Sequence, residues 1–334
     1  MLQALELMER SDFKIALVVD EERRLLGTVT DGDIRRAILR SVSLQEPVSA
    51  VMNPHPTTMQ AGSDRDEIVA IMREKWIRYI PLVDGEGRVL GMESGDFAGS
   101  SRLRDNLVMI MAGGQGTRLR PLTEDCPKPM LPVGGRPILE TILLGFIQHG
   151  FRHFYFSVNY KAEQIRQHFG DGSRWGVSIG FVEEQEPLGT AGALSLLPEK
   201  PRETFIVMNG DLLTKINFDE LLNFHRSQQS QATMCVREYN FQVPFGVVNL
   251  DEHFVRDIFE KPVQRLFVNA GIYVLEPQAI EHVPARRSFD MPALFQSIIG
   301  SGERVTAFPV REYCVDVGQH ADFERANGEF SRVF

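Results

Sequence analysis

The stretch MAGGQGTRLRPLTEDCPKPMLPVGGRP, Met111 to Pro137, follows the apolar run Leu107 to Met111. Gly113, Gly114 and Gly116 carry no side chains, so backbone N–H groups there can approach a phosphate that a Cβ would block. Arg118 and, further on, Lys128 can neutralise the charge that remains. The spacing matches neither G-x-x-x-x-G-K-[ST] nor the dinucleotide fingerprint G-x-G-x-x-G, and glycines alone also fit a tight turn. Two carboxylates stand at comparable places: Asp211 ends FIVMNGD and Asp316 lies in CVDVG. Mg²⁺ takes hard oxygen ligands, one or two carboxylates completed by phosphate and water, and this pair suits it. An isolated strand-end Asp serves equally as a turn or helix cap. No Ser-His or Cys-His arrangement stands out, so any chemistry here rests on positioning and charge neutralisation.

These residues need a frame. LVMIMAG, HFYFSVN, SIGFVEE, TFIVMNGD and ATMCVRE are short apolar runs separated by helical stretches such as PILETILLGFIQHG and FDELLNFHRSQQ. Such alternation predicts an α/β domain over 104–334, a Rossmann-like, mostly parallel sheet with helices on both faces. Ligands of such sheets bind beyond the carboxyl ends of the strands, which is where the glycine loop begins.

Residues 1–103 follow another plan. KIALVVDEERRLLGTV from Lys14 aligns without a gap on RYIPLVDGEGRVLGME from Arg78, and the same shift lays Ala4, Leu7 and Met8 on Ile68, Ile71 and Met72. Each unit therefore reads as helix, strand, turn, strand, helix, an α+β tandem repeat. GSSRLRDN, Gly99 to Asn106, is polar and small and is the expected linker.

Composition sets limits. The 334 residues carry 36 basic and 45 acidic side chains, a net charge of −9, which disfavours general attraction to nucleic acid. No apolar run approaches a membrane span and the N-terminus lacks the build of a secretory signal, so a cytoplasmic address without membrane association is expected. Cys126, Cys235 and Cys314 contain no C-x-x-C pair and read as reduced thiols. His149 and His153 are spaced i, i+4, but Gly150 interrupts the helix a zinc pair would use.

AGGQGTRLRPLT followed by PKPMLPVGGRPILE resembles the signature of sugar-1-phosphate nucleotidyltransferases of the mannose-1-phosphate guanylyltransferase and glucose-1-phosphate thymidylyltransferase type. EEQEPLGTAGAL, VMNGDLL, PFGVV, FEKP, VNAGIYVL and VDVGQHADFERAN continue the resemblance in order across residues 106–330. It implies a GT-A-like fold and in-line attack by a sugar-1-phosphate oxygen on the α-phosphorus of a nucleoside triphosphate, releasing pyrophosphate. The nucleophile is already an anion and needs no general base. By this resemblance Ala112, Gly113, Gly114, Gly116, Thr117, Glu184, Gly189 and Thr190 contact the nucleotide. Arg118 and Lys128 hold the triphosphate, Lys261 the sugar phosphate, and Asp211 and Asp316 the Mg²⁺. Gly246, Glu260 and Asn269 take sugar hydroxyls.

The position five residues before Gly189 carries Gln in relatives that use uracil or thymine, and here it is Glu184. A carboxylate only accepts, which suits the paired N1–H and N2–H₂ donors of guanine, so GTP is expected, with UTP or dTTP the alternative. The repeat module together with this transferase resembles guanylyltransferases that activate hexosamine- or heptose-type sugars. GTVTDGDIRRAI, Gly27 to Ile38, resembles a CBS domain, and the tandem looks like a Bateman module whose first repeat is truncated at its N-terminus. That resemblance implies an adenine-nucleotide site at Thr30 and Asp33, self-association of the chain, or packing without ligand. The second copy reads ESGDFAGS and departs from the pattern. A transferase half that has decayed into a nucleotide sensor is the other class of function, and the presence of Gly114, Arg118, Lys128, Asp211 and Asp316 argues against it.

Overall fold

The computed structural model describes residues 1–11, 13–40, 42–75, 77, 79–94 and 103–334. The chain divides into two compact units, Met1–Arg102 and Leu103–Phe334.

In the first unit α1 (Leu2–Arg10), β1 (Ile15–Val19), β2 (Leu25–Thr30) and α2 (Asp31–Leu39) make one repeat. β3 (Met59–Gln60), α3 (Arg65–Lys75), β4 (Tyr79–Val83) and β5 (Val89–Ser94) make the other, and the helix expected to close it falls outside the described residues. β1–β2 and β4–β5 are antiparallel hairpins, and β3 joins β4 in parallel. The Leu25 N–H donates to the Gly87 carbonyl at 3.0 Å and the Val89 N–H to the Arg23 carbonyl at 2.9 Å. The repeat shift that carries 25 to 89 also carries 23 to 87, so the two bonds are images of each other and join the hairpins about a local twofold. Of the helical stripe read from the sequence, Ala4 and Met8 are buried but Leu7 is 58% exposed. Leu5 replaces it, because Met1, Ala4, Leu5 and Met8 form the i, i+3, i+4, i+7 face that the helix turns inward.

The second unit opens with β6 (Arg104–Met111), the hairpin strands β7 (Pro132–Val133) and β8 (Arg136–Pro137), α4 (Ile138–Gln148), β9 (Phe151–Val158), α5 (Ala162–Phe169) and β10 (Ser178–Glu183). It continues through β11 (Phe205–Asn209), β12 (Leu212–Thr214), α6 (Phe218–Ser227), β13 (Ala232–Gln242), β14 (Val247–Asp251), β15 (Phe254–Phe259) and β16 (Val263–Leu275). α7 (Met291–Gly300), β17 (Val305–Pro309), β18 (Cys314–Asp316) and α8 (His320–Val333) end it.

Seven strands form one sheet in the order β10-β9-β6-β11-β16-β13-β17, parallel except where β16 runs against β11 and β13. Its middle strands are buried on both faces, which explains their unbroken apolar runs. Val108, Ile110, Ile206, Met208, Ile272 and Val274 face a core built with α4, α5 and α6. Met109, Phe205, Val207, Tyr273 and Leu275 face a second core closed by α7.

At the edge opposite the carboxyl ends of the parallel strands sits a polar cluster. His225, 1% exposed, meets Glu276 Oε1 at 3.0 Å through Nε2 and Thr233 Oγ1 at 2.7 Å through Nδ1, and the Thr204 hydroxyl donates to Glu276 Oε1 at 2.7 Å. The His225 bond, helped by Thr204 and opposed by burial, holds the Glu276 carboxyl below its ordinary value of 4.5. A lowered carboxylate stabilises the fold above its unfolded pKa and loses that contribution as pH falls. Glu276→Gln should therefore cost about 2 kcal/mol at neutral pH. In denaturant titrations the gap from the parent should hold down to about pH 4.5 and close as pH drops below it.

Candidate active site

The glycine loop leaves β6 at the rim where the parallel strands end. Its base is fixed by backbone: the Ala112 N–H donates to the Ser157 carbonyl at 2.8 Å and the Gly210 N–H to the Met111 carbonyl at 2.9 Å. Gly116 has φ +63°, and a Cβ there would lie 2.9 Å from Thr123 Cγ2 and 3.0 Å from Lys128 Cβ, so this position requires glycine. The Thr123 hydroxyl donates to the Gly116 carbonyl at 2.8 Å, folding the signature back on itself and bringing Lys128 to the rim. Arg118 and Thr117 are exposed, and Gly114 faces open space.

Asp211 stands immediately before β12, one glycine after β11, and the short antiparallel pair β12–β18 sets Leu212 opposite Asp316. The Val317 N–H donates to the Asp211 carbonyl at 3.0 Å. Two carboxylates far apart in sequence thus share one corner. The Lys128 ammonium, on a residue 8% exposed, lies 2.5 Å from Asp211 Oδ2 and 3.8 Å from Asp316 Oδ1. Burial and the Asp211 charge push the Asp316 carboxyl above its ordinary value, against the opposing pull of Lys128. Asp211 Oδ1 is buried without a hydrogen-bond partner among the described residues. An orphaned carboxylate oxygen beside a second carboxylate fits a divalent cation completed by ligand oxygens. No group of three or more His, Cys, Asp or Glu that could hold a metal is found among the described residues.

Glu184 is 6% exposed, lies across the rim and is tied on three sides. Ser157 donates its hydroxyl to Oε1, the Leu188 N–H donates to Oε2 at 2.8 Å, and the Asn159 amide donates to the Glu184 carbonyl at 2.5 Å. A Cβ on Gly113 would come within 3.1 Å of Glu184 Oε1, so the carboxylate sits against the glycine loop. Gly189, at φ +74°, and Thr190 follow in the same turn.

The expected sugar contacts form a second group. A Cβ on Gly246 would lie 3.1 Å from Glu260 Oε2, and Lys261, at φ +46°, is beside it. No hydrogen bond or ion pair among the described residues links Gly246, Glu260 or Lys261 to Lys128, Asp211 or Asp316. Asn269 lies nearer the first group. Its side chain donates to Tyr273 Oη at 2.7 Å and accepts from the Gly271 N–H at 2.9 Å, and Gly271 abuts Asn209, two residues before Asp211.

In the first unit Thr30 and Asp33 stand at the β2–α2 corner. The Thr30 N–H donates to Asp33 Oδ2 at 2.8 Å and the Asp33 N–H to Thr30 Oγ1 at 3.3 Å, a reciprocal helix cap. Sequence reasoning passed over Ser157, Asn159, Thr123 and Asp290. SVN at the end of HFYFSVN is the signal that would have found the first two, since polar residues there end a buried strand at the ligand rim.

The profile of the family described as Nucleotidyl transferase matches residues 107–332, and that of the CBS domain matches 1–40 and 48–92. The chain belongs to the nucleotidyl transferase family and carries an N-terminal CBS region. It is 34% identical over 232 residues to the mannose-1-phosphate guanylyltransferase of Mycobacterium tuberculosis, covering 67% of this chain and 64% of that protein. It is 33% identical over 245 residues to the UTP–glucose-1-phosphate uridylyltransferase of Synechocystis, covering 67% of this chain and 63% of that protein. The chain therefore spans less than two thirds of the length of these relatives. HddC from Yersinia pseudotuberculosis superposes with a TM-score of 0.54 at 28% identity, covering 67% of this chain and 99% of that one. The nucleotidyl transferase unit thus has the expected fold, as the strand order had already indicated.

Proposed function

We propose that this protein is a Mg²⁺-dependent sugar-1-phosphate nucleotidyltransferase that joins GTP and a hexosamine- or heptose-type sugar-1-phosphate, releasing pyrophosphate. The observation that carries the reading is the Lys128–Asp211–Asp316 corner beside a glycine loop, one buried oxygen of Asp211 left without a partner. Mg²⁺ held by Asp211 and Asp316 would neutralise phosphate charge as pyrophosphate departs. Lys128 and Arg118 add fixed positive charge on the triphosphate, and backbone N–H groups around Gly113 and Gly114 orient it. Lys261 and Glu260, between β15 and β16, would hold the sugar phosphate.

Glu184 supports GTP. Its carboxylate is already oriented by Ser157 and Leu188 yet retains acceptor capacity on both oxygens, which matches two donors of guanine better than the carbonyls of uracil. A UTP- or dTTP-using enzyme is the competing reading, and the uridylyltransferase relative favours it. Chromatographic analysis of nucleotide sugars formed from GTP, UTP or dTTP with each sugar-1-phosphate decides between them. A GDP-sugar is the expected product, and a UDP- or dTDP-sugar alone would refute the base assignment.

The CBS region would bind an adenine nucleotide at Thr30 and Asp33, which equilibrium dialysis with labelled ATP and AMP would detect. The proposed address is cytoplasmic, which fractionation would test; no helix among the described residues is long and apolar enough to cross a membrane.

We further infer self-association through the β14–β15 hairpin and the outer ends of β13 and β16. Val248, Leu250, Val255 and Ile258 share one face of the β14–β15 hairpin and are 45–65% exposed. Tyr239, Phe241 and Leu266 on the neighbouring ribbon are 49–53% exposed. Large apolar side chains left this exposed are the kind of surface that marks a protein–protein contact. Sedimentation velocity should show a dimer for the parent chain and a monomer for Ile258→Glu.

A further inference from the structure

Helix α7 begins at an aspartate that does not cap it. Asp290 occupies the N-cap position, where a carboxylate ordinarily accepts from the first free N–H groups of its own helix, yet it makes no such bond. Its Oδ1 instead accepts from the Thr190 N–H at 2.9 Å and the Thr190 hydroxyl at 3.2 Å. The same hydroxyl accepts from the Met291 N–H at 2.8 Å, so Thr190 takes over the capping that Asp290 gives up. The exchange joins two segments a hundred residues apart in sequence.

The neighbours complete a clamp. The Phe289 N–H donates to the Leu188 carbonyl at 2.8 Å, and the Phe289 carbonyl accepts from the Ala191 and Gly192 N–H groups at 2.9 Å each. Gly189 has φ +74°, and a Cβ built on it would lie 2.6 Å from Asp290 Oδ1. The carboxylate therefore occupies the space a side chain would need, and Gly189 and Asp290 presuppose each other. Gly192 is enclosed in the same way, its Cβ falling 2.6 Å from the Arg287 carbonyl oxygen. At the other end of the turn the Leu188 N–H holds Glu184 Oε2 at 2.8 Å. Asp290 thus fixes the turn from which Glu184 takes one of its two carboxylate anchors.

We propose that Asp290 is a positioning residue for nucleoside triphosphate. Through Thr190 it holds residues 188–192 in the shape that presents the nucleotide-binding turn and orients the Glu184 carboxylate. This rests on the assignment of the Glu184–Thr190 segment to the nucleotide. Only the acceptor Oδ1 is used, and an asparagine side-chain oxygen can replace it.

Calorimetric titration of the parent and its variants with GTP, UTP and dTTP in Mg²⁺ tests this without knowledge of the sugar. Asp290→Ala should weaken the preferred nucleotide about tenfold, and Asp290→Asn should restore affinity to within about threefold of the parent. Thr190→Val should weaken binding less, because the backbone N–H at 190 still meets Asp290, and the double variant Asp290→Ala/Thr190→Val should lose less than the sum of the two single losses, because both remove the hydroxyl–carboxylate bond. Hydrogen exchange should quicken at Thr190 in Asp290→Ala, with melting temperature within a few degrees of the parent. Parent-like affinity in Asp290→Ala, or additive losses in the double variant, would overturn the proposal while leaving the nucleotidyltransferase reading intact. If the parent itself binds none of the three nucleotides, both fall together.

Discussion

Asp211→Asn is expected to lower kcat/KM by about a thousandfold or more while leaving the fold intact. The side chain is nearly isosteric, and the neighbouring β12–β18 pairing and the Val317 bond use only backbone at this corner. What disappears is the negative charge that Lys128 meets at 2.5 Å and that a divalent cation would require. Asp211 Oδ1 has no partner among the described residues, so an amide nitrogen placed there breaks no bond and the remaining oxygen can still accept from Lys128. The metal-free protein should melt within a few degrees of the parent, and added Mg²⁺ should no longer stabilise it in the presence of nucleotide. Pyrophosphate release and differential scanning fluorimetry, with and without Mg²⁺, check the two halves. An active Asp211→Asn enzyme would remove this corner from the chemistry.

Lys128→Met should cost about a hundred- to a thousandfold in kcat/KM and also destabilise the metal-free fold by about 3 kcal/mol. Lys128 sits between two carboxylates, and its removal leaves them facing each other without a counter-charge. Asp316, already raised by burial and by Asp211, would rise further once the opposing pull of Lys128 is lost. A raised carboxylate favours the folded state only while protonated, so the deficit should shrink as pH falls toward the ordinary Asp range. Mg²⁺ should recover much of the stability and little of the rate, because it can replace the charge between the carboxylates but not the cation on the triphosphate. Urea titrations at neutral and acidic pH with and without Mg²⁺ measure the first effect, and initial rates measure the second.

Much of this was legible in the sequence, for identifiable reasons. Continuous apolar runs ending in glycine or polar residues announced strands buried on both faces, and the glycine signature announced the rim. The 64-position repeat announced two like hairpins in the first unit, while the reciprocal Leu25–Gly87 and Val89–Arg23 bonds between them belong to tertiary structure. The antiparallel course of β16 was not legible, because a buried strand has the same pattern whichever way it runs. A short helix admits two neighbouring apolar stripes, and packing chooses the one through Leu5 over the one through Leu7. Asp290 acts through hydrogen bonds across the sheet rim and nothing in its local spacing marks it, whereas Ser157 is marked only by its place at the polar end of a buried strand. Glu184 was singled out as a group for the base, but its anchoring by Ser157 and Leu188 belongs to tertiary structure.

The measurement that bears most directly on the central claim is pyrophosphate release in Mg²⁺, crossing GTP, UTP, dTTP, CTP and ATP with a panel of sugar-1-phosphates and with Asp211→Asn as control. Release that needs one nucleotide, one sugar phosphate and an intact Asp211, with GTP as that nucleotide, is the predicted result. Silence across the whole panel from folded protein, or release that persists in Asp211→Asn, would contradict it.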